Sequence, residues 1–185
     1  MIRELNPEEV TEELFSGFHR HQQVTKCWRK RDGSWVIVDN PFVEEWTKKD
    51  YRYLVECLRH TLTTGGVVYG YFESGALKGF ASVEKDALGS RGQYLELSSL
   101  HVSEELRGRG IGRCLMKHAQ QWASGQGAEK LYISAHSSVE SQAFYSAMGC
   151  REAEEYSAPH VEKEPCDCQL ECSVIGFASE RSIGV

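Results

Sequence analysis

Residues 99–123 read SLHVSEELRGRGIGRCLMKHAQQWA, from Ser99 to Ala123, and the pattern predicts strand, tight turn, then amphipathic helix. Tyr94, Leu95, Leu97, Leu100 and Val102 form the apolar run of a half-buried or buried strand. Ile111, Leu115, Ala119, Trp122 and Ala123 recur at three- and four-residue steps, which sets them on one helix face. Between them lie Arg107, Gly108, Arg109, Gly110, Ile111, Gly112 and Arg113. The glycines let the chain turn sharply and let a ligand approach peptide N–H groups that a Cβ would shield. The first helical turn has unpaired N–H groups and about half a positive charge, to which the arginines add full charges. Such a place binds an anion, and a pyrophosphate fits it best.

Other phosphate-binding loops fail on these residues. A P-loop needs Gly-Lys-Ser/Thr at its end, whereas Gly112 is followed by Arg113 and Cys114. A dinucleotide fingerprint needs a glycine three places after Gly110, where Arg113 stands, and belongs at the first strand of a repeated βαβ unit. What remains is Arg-x-x-Gly-x-Gly between strand and helix. It resembles the coenzyme A loop of the GNAT (Gcn5-related N-acetyltransferase) family. A second segment, from Ser138 through Phe144, Tyr145 and Gly149 to Cys150, is similar to that family's Asn-x-x-Ala-x-x-Phe-Tyr-x-x-x-Gly-Phe helix. It departs from it at Ser138 for asparagine, Ser141 for alanine and Cys150 for the aromatic.

The chain has 185 residues, 41% of them hydrophobic, and a net charge of −6. That length suits one domain with a real core. No apolar run approaches the roughly 18 residues of a membrane span. The start, Met1-Ile2-Arg3-Glu4, lacks a signal peptide's apolar stretch, so the cytoplasm is the expected compartment. Seven cysteines without a secretion signal read as free thiols. The negative balance argues against nucleic acid and favours a cationic substrate.

In chain order, a short strand spans Ile2 to Leu5. Asn6, Pro7 and Glu9 then read as the cap of a helix whose inner face is Val10, Leu14 and Phe15. Residues 17–45 are irregular, with a hairpin expected around Arg31-Asp32-Gly33. Thr47 and Asp50 cap a helix carrying Tyr51, Leu54, Val55, Leu58 and Leu62, ended by Gly65-Gly66. Strands over Val67–Phe72 and Leu77–Lys85 meet at Glu73-Ser74-Gly75. Beyond the central helix come a strand from Leu131 to Ala135 and a helix capped by Ser137 and Glu140 that stops at Gly149. Two last strands are read over Cys150–Tyr156 and Asp167–Ile175. The class is α/β, and the order matches a single-domain GNAT-like fold: a central mixed, mostly antiparallel twisted sheet flanked by helices. The domain is set at residues 1–176, with 17–45 a variable acceptor-side segment and 177–185 a tail.

The resemblance implies an acetyl-CoA-dependent N-acetyltransferase of the EC 2.3.1 class, working by direct transfer, with acetyl-CoA as co-substrate and no metal. An alkylamine with a pKa of about 10.4 is neutral in only about one molecule in a few thousand at pH 7, so the reaction needs a base. By resemblance Glu96 is the base and Tyr145 the acid for the leaving thiolate. Glu96 is read on the pleat face of Leu100 and Val102, with the His101 side chain pointing away from it as a structural histidine. By the same resemblance the coenzyme is bound by Leu100, His101, Val102, Arg107, Gly108, Arg109, Gly110, Ile111, Gly112, Arg113, Ser138 and Tyr145. The acceptor expected is a small-molecule primary amine, such as a polyamine or a basic antibiotic of aminoglycoside or streptothricin type. Two alternatives stay open: acetylation of protein or peptide amines, and a coenzyme A-binding sensor without turnover. No membrane partner is expected, and a homodimer is left open. Acidic residues crowd the carboxyl-terminal third: Glu152, Glu154, Glu155, Glu162, Glu164, Asp167 and Glu171. Cys166, Cys168 and Cys172 near His160 invite a zinc reading, but C-x-C-x₃-C is not a zinc knuckle. Alternation sets Cys166, Cys168, Leu170, Cys172 and Val174 on one strand face, as buried thiols would be.

Overall fold

The computed structural model describes residues 1–174, and the expected end of the last strand at Ile175 and the tail lie outside them. The elements are β1 (Ile2–Glu4), β2 (His21–Arg31), β3 (Ser34–Glu45), α1 (Lys48–Thr63), β4 (Val67–Glu73), β5 (Ala76–Leu88), β6 (Tyr94–Val102), α2 (Ile111–Gly125), β7 (Lys130–Ala135), α3 (Val139–Ala147), β8 (Arg151–Glu152), α4 (Ala158–Lys163) and β9 (Cys168–Ser173). Seven strands form one sheet in the order β1-β4-β5-β6-β7-β9-β8, while β2 and β3 pair separately. Neighbours in the large sheet run antiparallel except β6 and β7.

Each face of that sheet is covered. On one, Leu115, Met116, Ala119 and Ala123 of α2 pack on Ala81, Val83, Leu95, Leu97, Leu131 and Ile133. Leu115 and Met116 are fully buried, each worth about 1.5–3 kcal/mol. On the other, Leu54, Val55 and Leu58 of α1 join Phe15, Phe18, Val68 and Phe80. Asp50 accepts from the Thr47 N–H at 2.7 Å and fixes the start of α1.

Four local readings are corrected. Residues 6–20 form turns and one 3-10 turn (Glu13–Phe15) in place of an α-helix. Glu9 does accept from the Asn6 N–H at 2.9 Å, but its carboxylate also binds Arg3, and burial of Val10, Phe15 and Phe18 sets the path. Residues 21–45 are one hairpin, longer than expected and with a register shift between Val24 and Lys26; Asp32 and Gly33 both have positive φ, as its tight turn requires. The cap of α3 is Ser138, whose hydroxyl accepts from the Ser141 N–H. The strand read over Cys150–Tyr156 shrinks to β8, and α4 fills part of the span before β9. Ser157, Ala158 and Pro159 open α4, proline taking a first-turn position where its missing N–H costs nothing.

In β9 the alternation holds for Cys168, Leu170, Cys172 and Val174, which meet the α2-side core, whereas Cys166 is exposed before the strand. The opposite face is also buried. Glu171, 1% exposed, accepts from Tyr94 Oη at 2.6 Å and pairs with Lys130 at 2.8 Å and Arg151 at 2.9 Å. Burial opposes its ionisation, but these donors outweigh it and hold the carboxyl at about 2. The folded pKa is depressed, so this stabilisation is full above the ordinary glutamate range and is lost as pH falls toward 2. Glu171→Ala is expected to cost about 3 kcal/mol in urea unfolding, because it strands the Tyr94 hydroxyl and leaves Lys130 with Glu154 alone.

Candidate active site

The site begins where two strands separate. β6 and β7 pair only from Tyr94 to Glu96 against Lys130 to Tyr132. From Leu97 onward the β7-side edge of β6 has no strand partner among the described residues, and a cleft of about 880 Å³ opens there. Unpaired backbone N–H and C=O groups on such an edge accept an extended ligand as an added strand.

A bulge sets which side chains face the opening. Ser99 pairs with Ser82 and Leu97 with Val83, so Ser98 is the extra residue. One extra residue exchanges the faces. Leu95 and Leu97 before it, and Leu100 and Val102 after it, all turn toward α2. Glu96 and His101 therefore share the opposite face, which corrects the expectation that Glu96 lies with Leu100 and Val102. Glu96 pairs with His160 of α4 at 2.9 Å and does not line the cleft. His101 packs between Phe80 and Trp46 at ring distances of 5.2 and 4.8 Å. Burial, with the charges of Arg20 and Arg107, pushes His101 down to about 3 and keeps it neutral.

At one end of the cleft the loop after β6 turns into α2. Gly108 and Gly110 have φ of 76° and 80°, a left-handed conformation that side-chain-bearing residues avoid. The first helical bond runs from the Cys114 N–H to the Gly110 carbonyl, which leaves the N–H groups of Ile111, Gly112 and Arg113 without intrahelical partners. Gly112 is needed for another reason: a Cβ there would stand 3.2 Å from the Phe144 ring, where α3 crosses the start of α2. Arg107 donates to the Val102 carbonyl at 3.3 Å, and Arg107, Arg113 and Arg20 all line the cleft. Arg109 does not; it pairs with Glu73 at 3.2 Å.

Tyr145 lines the middle of the cleft. Burial raises its phenol far above the usual value, and the charges of Cys150 and Asp167 add to this, so it stays protonated at neutral pH. Ser138 is fully buried at the start of α3, where it caps the helix and accepts from Gln22 Nε2 at 3.2 Å, outside the cleft. Of the residues expected in the site, the structure thus gathers Leu100, His101, Val102, Arg107, Gly108, Gly110, Ile111, Gly112, Arg113 and Tyr145, and leaves Glu96, Arg109 and Ser138 outside.

The far end of the cleft has walls that the motifs did not mark. The β2–β3 hairpin brings His21, Gln22 and Glu44, with Arg20 just before it; Ser134 comes from β7 and His136 from just after it; and the segment after α4 brings Glu164 and Asp167. Only the crowding of acids in the carboxyl-terminal third hinted at the last two. Arg20, 8% exposed, bonds Glu44 at 2.5 Å, while its buried Nε has no hydrogen-bond partner among the described residues. Among the described residues no group of three or more His, Cys, Asp and Glu side chains is placed to hold a metal. No helix among them is long and apolar enough to cross a membrane.

Comparison with known proteins adds family and fold. A search of curated proteins finds no match. The structure is similar to that of nourseothricin acetyltransferase, with a TM-score of 0.67 at 17% identity over 95% of this chain and 98% of that one. A Bacillus anthracis protein described as a streptothricin acetyltransferase, solved in complex with acetyl coenzyme A, gives 0.66 at 16% identity over 92% and 95%. The PaiA N-acetyltransferase of Thermoplasma acidophilum, solved with coenzyme A, gives 0.58 at 14% identity over 94% and 98%. These likenesses show a shared α/β fold with a mixed, twisted sheet between helices. The profile of the acetyltransferase (GNAT) family matches residues 33–150, more than half of the sequence. The chain belongs to the acetyltransferase (GNAT) family.

Proposed function

We propose that the chain moves the acetyl group of acetyl-CoA to a primary amine of a small cationic acceptor by direct transfer. The observation that carries this reading is one continuous cleft with opposite chemistry at its ends. Three free amide N–H groups and two arginines face one end, and carboxylates line the other. The pyrophosphate would rest on the loop from Arg107 to Arg113, chiefly on the N–H groups of Ile111, Gly112 and Arg113. The pantetheine arm would pair with the open edge of Leu100, His101 and Val102. Tyr145 would donate the proton that the departing thiolate needs. Glu96, Arg109 and Ser138 act at a distance in this proposal: Glu96 and Ser138 by holding α4 and α3, and Arg109 by bracing the loop on β4.

The acceptor class follows from charge. Glu152 pairs with Lys30, Glu154 with Lys130 and Arg151, Glu171 with Lys130 and Arg151, and Glu155 binds Ser90, which leaves Glu164 and Asp167 for the cleft. The names of two structural relatives, nourseothricin and streptothricin acetyltransferase, accord with a basic antibiotic of streptothricin type. Residues 17–45 serve as the acceptor-side segment of one domain spanning 1–176. The seven free cysteines suit a reducing compartment such as the cytoplasm. The test is to incubate the protein with acetyl-CoA and a panel of polyamines, streptothricins, aminoglycosides and peptide amines, following release of free thiol. Turnover confined to the cationic small molecules is the expected result. Tight coenzyme binding without turnover on any amine would overturn it.

A further inference from the structure

We propose, resting on the acetyl-transfer reading just given, that Asp167 is the catalytic base that takes the proton from the acceptor's ammonium group, with Glu164 as the partner that tunes it.

The placement comes first. Asp167 directly precedes β9, whose Cys168 pairs with Ala135 at the end of β7, the strand that parts from β6 to open the cleft. Its carboxyl lies close to the Ser134 hydroxyl and the Glu164 side chain, and its N–H donates to the Glu164 carbonyl at 3.1 Å. Asp167, Glu164, Ser134 and Tyr145 line the same opening, and the Asp167 charge is felt at the Tyr145 hydroxyl. Asp167 and Tyr145 thus face one opening, as a base and an acid serving one transfer must.

Charge comes second. Neither Glu164 nor Asp167 has an ion-pair partner among the described residues, whereas Glu96, Glu152, Glu154 and Glu171 do. Of the other carboxylates that line the cleft, Glu44 is already held by Arg20 and Glu104 by His21, while Glu140 sits in the first turn of α3. Two adjacent carboxyls without a cationic partner leave negative charge facing an incoming ammonium.

The histidines near the cleft and Glu96 are occupied. The Nδ1 of His136 accepts from the Ser138 N–H at 3.2 Å, so the neutral ring carries its proton on Nε2 and has no free lone pair. Burial also lowers its pKa. His101 lies between aromatic rings beside two arginines. Glu96 is committed to His160, and His21 to Glu104 at 3.0 Å. Asp167 is faced by Glu164 from the end of α4, Glu44 from β3, Ser134 from β7, His136 from just after it, and Tyr145 from α3. Arg29 of β2 stands near His136 and Cys168 but is held by the Ser137 hydroxyl and the Trp28 carbonyl. Burial, then Glu164, raise the Asp167 carboxyl to about 7, where a base works best at neutral pH.

The step balances as follows. The ionised Asp167 takes one proton from R–NH₃⁺, and the amine's lone pair forms the C–N bond at the thioester carbonyl. Collapse of the adduct breaks the C–S bond. The thiolate takes the Tyr145 proton, the nitrogen's second proton restores Tyr145, and Asp167 returns its own to solvent.

The experiment is the pH profile of kcat/KM, from pH 5 to 10, for wild type, Asp167→Asn and Glu164→Gln with one accepted amine, alongside coenzyme A affinity. Wild type is expected to rise to a plateau near pH 7. Asp167→Asn should fall about a hundredfold at pH 7 while still binding coenzyme A, and climb steadily until the free amine's own pKa. Glu164→Gln should move the acidic limb to lower pH, because a neighbouring negative charge is removed. Wild-type turnover with both limb and rate kept in Asp167→Asn, or an unmoved limb in Glu164→Gln, would overturn this assignment alone. Absence of wild-type turnover on every amine would overturn the acetyl-transfer reading and this assignment with it.

Discussion

Gly110→Asp weakens coenzyme A binding by about a hundredfold or more, measured by calorimetry, while the melting temperature changes little. Two costs combine. At φ of 80° any side chain strains the backbone by about 1–3 kcal/mol, which is relieved by turning the loop away from its ligand-ready shape. The new carboxylate then faces the phosphates across the amide groups of Ile111, Gly112 and Arg113, where every 1.4 kcal/mol of repulsion costs tenfold. Gly110 is exposed, and a Cβ there meets nothing within 4 Å, so the rest of the fold does not feel the change. Gly110→Ala separates the contributions: it keeps the strain, omits the charge, and should lose about tenfold. Coenzyme affinity unchanged in Gly110→Asp would remove the loop from the binding site.

Tyr145→Phe lowers kcat by about a hundredfold and leaves the KM for acetyl-CoA within about threefold. The ring still packs against Phe144 at a centroid distance of 5.2 Å, so what is lost is the hydroxyl alone. Burial keeps that hydroxyl protonated well beyond neutral pH, which makes it a donor when a thiolate departs. Single-turnover measurements at saturating acetyl-CoA would place the loss in the chemical step. An equal loss in coenzyme affinity would instead assign Tyr145 to binding.

The donor side of the cleft was legible because local chemistry dictates it. Gly108 and Gly110 announce positive φ, and the 3.6-residue period of Ile111, Leu115, Ala119 and Ala123 announces a helix lying on a sheet. The acceptor side was not. Its walls come from residues far apart in sequence, Arg20 and Glu44 at the base of one hairpin and Asp167 after a short helix, and long-range packing leaves no period. The face of Glu96 was misread for a physical reason of its own. A strand's alternation holds until a bulge, and nothing in Leu97-Ser98-Ser99-Leu100 advertises the extra residue at Ser98. The 6–16 segment shows a third limit: the signals of Asn6, Pro7 and Glu9 mark a helix start, but the buried Val10 and Phe15 demanded a tighter path.

The β2–β3 hairpin shares no ladder with the seven-stranded sheet. It is pinned instead by bonds along its length: His21 to Glu104 at 3.0 Å and Gln22 to the Ser138 hydroxyl at 3.2 Å near its base, and the Trp28 N–H to the Ser137 carbonyl at 2.8 Å, Arg29 to the Ser137 hydroxyl at 2.6 Å and Lys30 to Glu152 farther out. The hairpin's wall of the cleft and the sheet that carries the rest of it are therefore separately bonded pieces. Exchange of residues 21–45 between relatives, with Ser137 and Glu152 kept as anchors, becomes a route to new acceptors that leaves the nucleotide grip untouched.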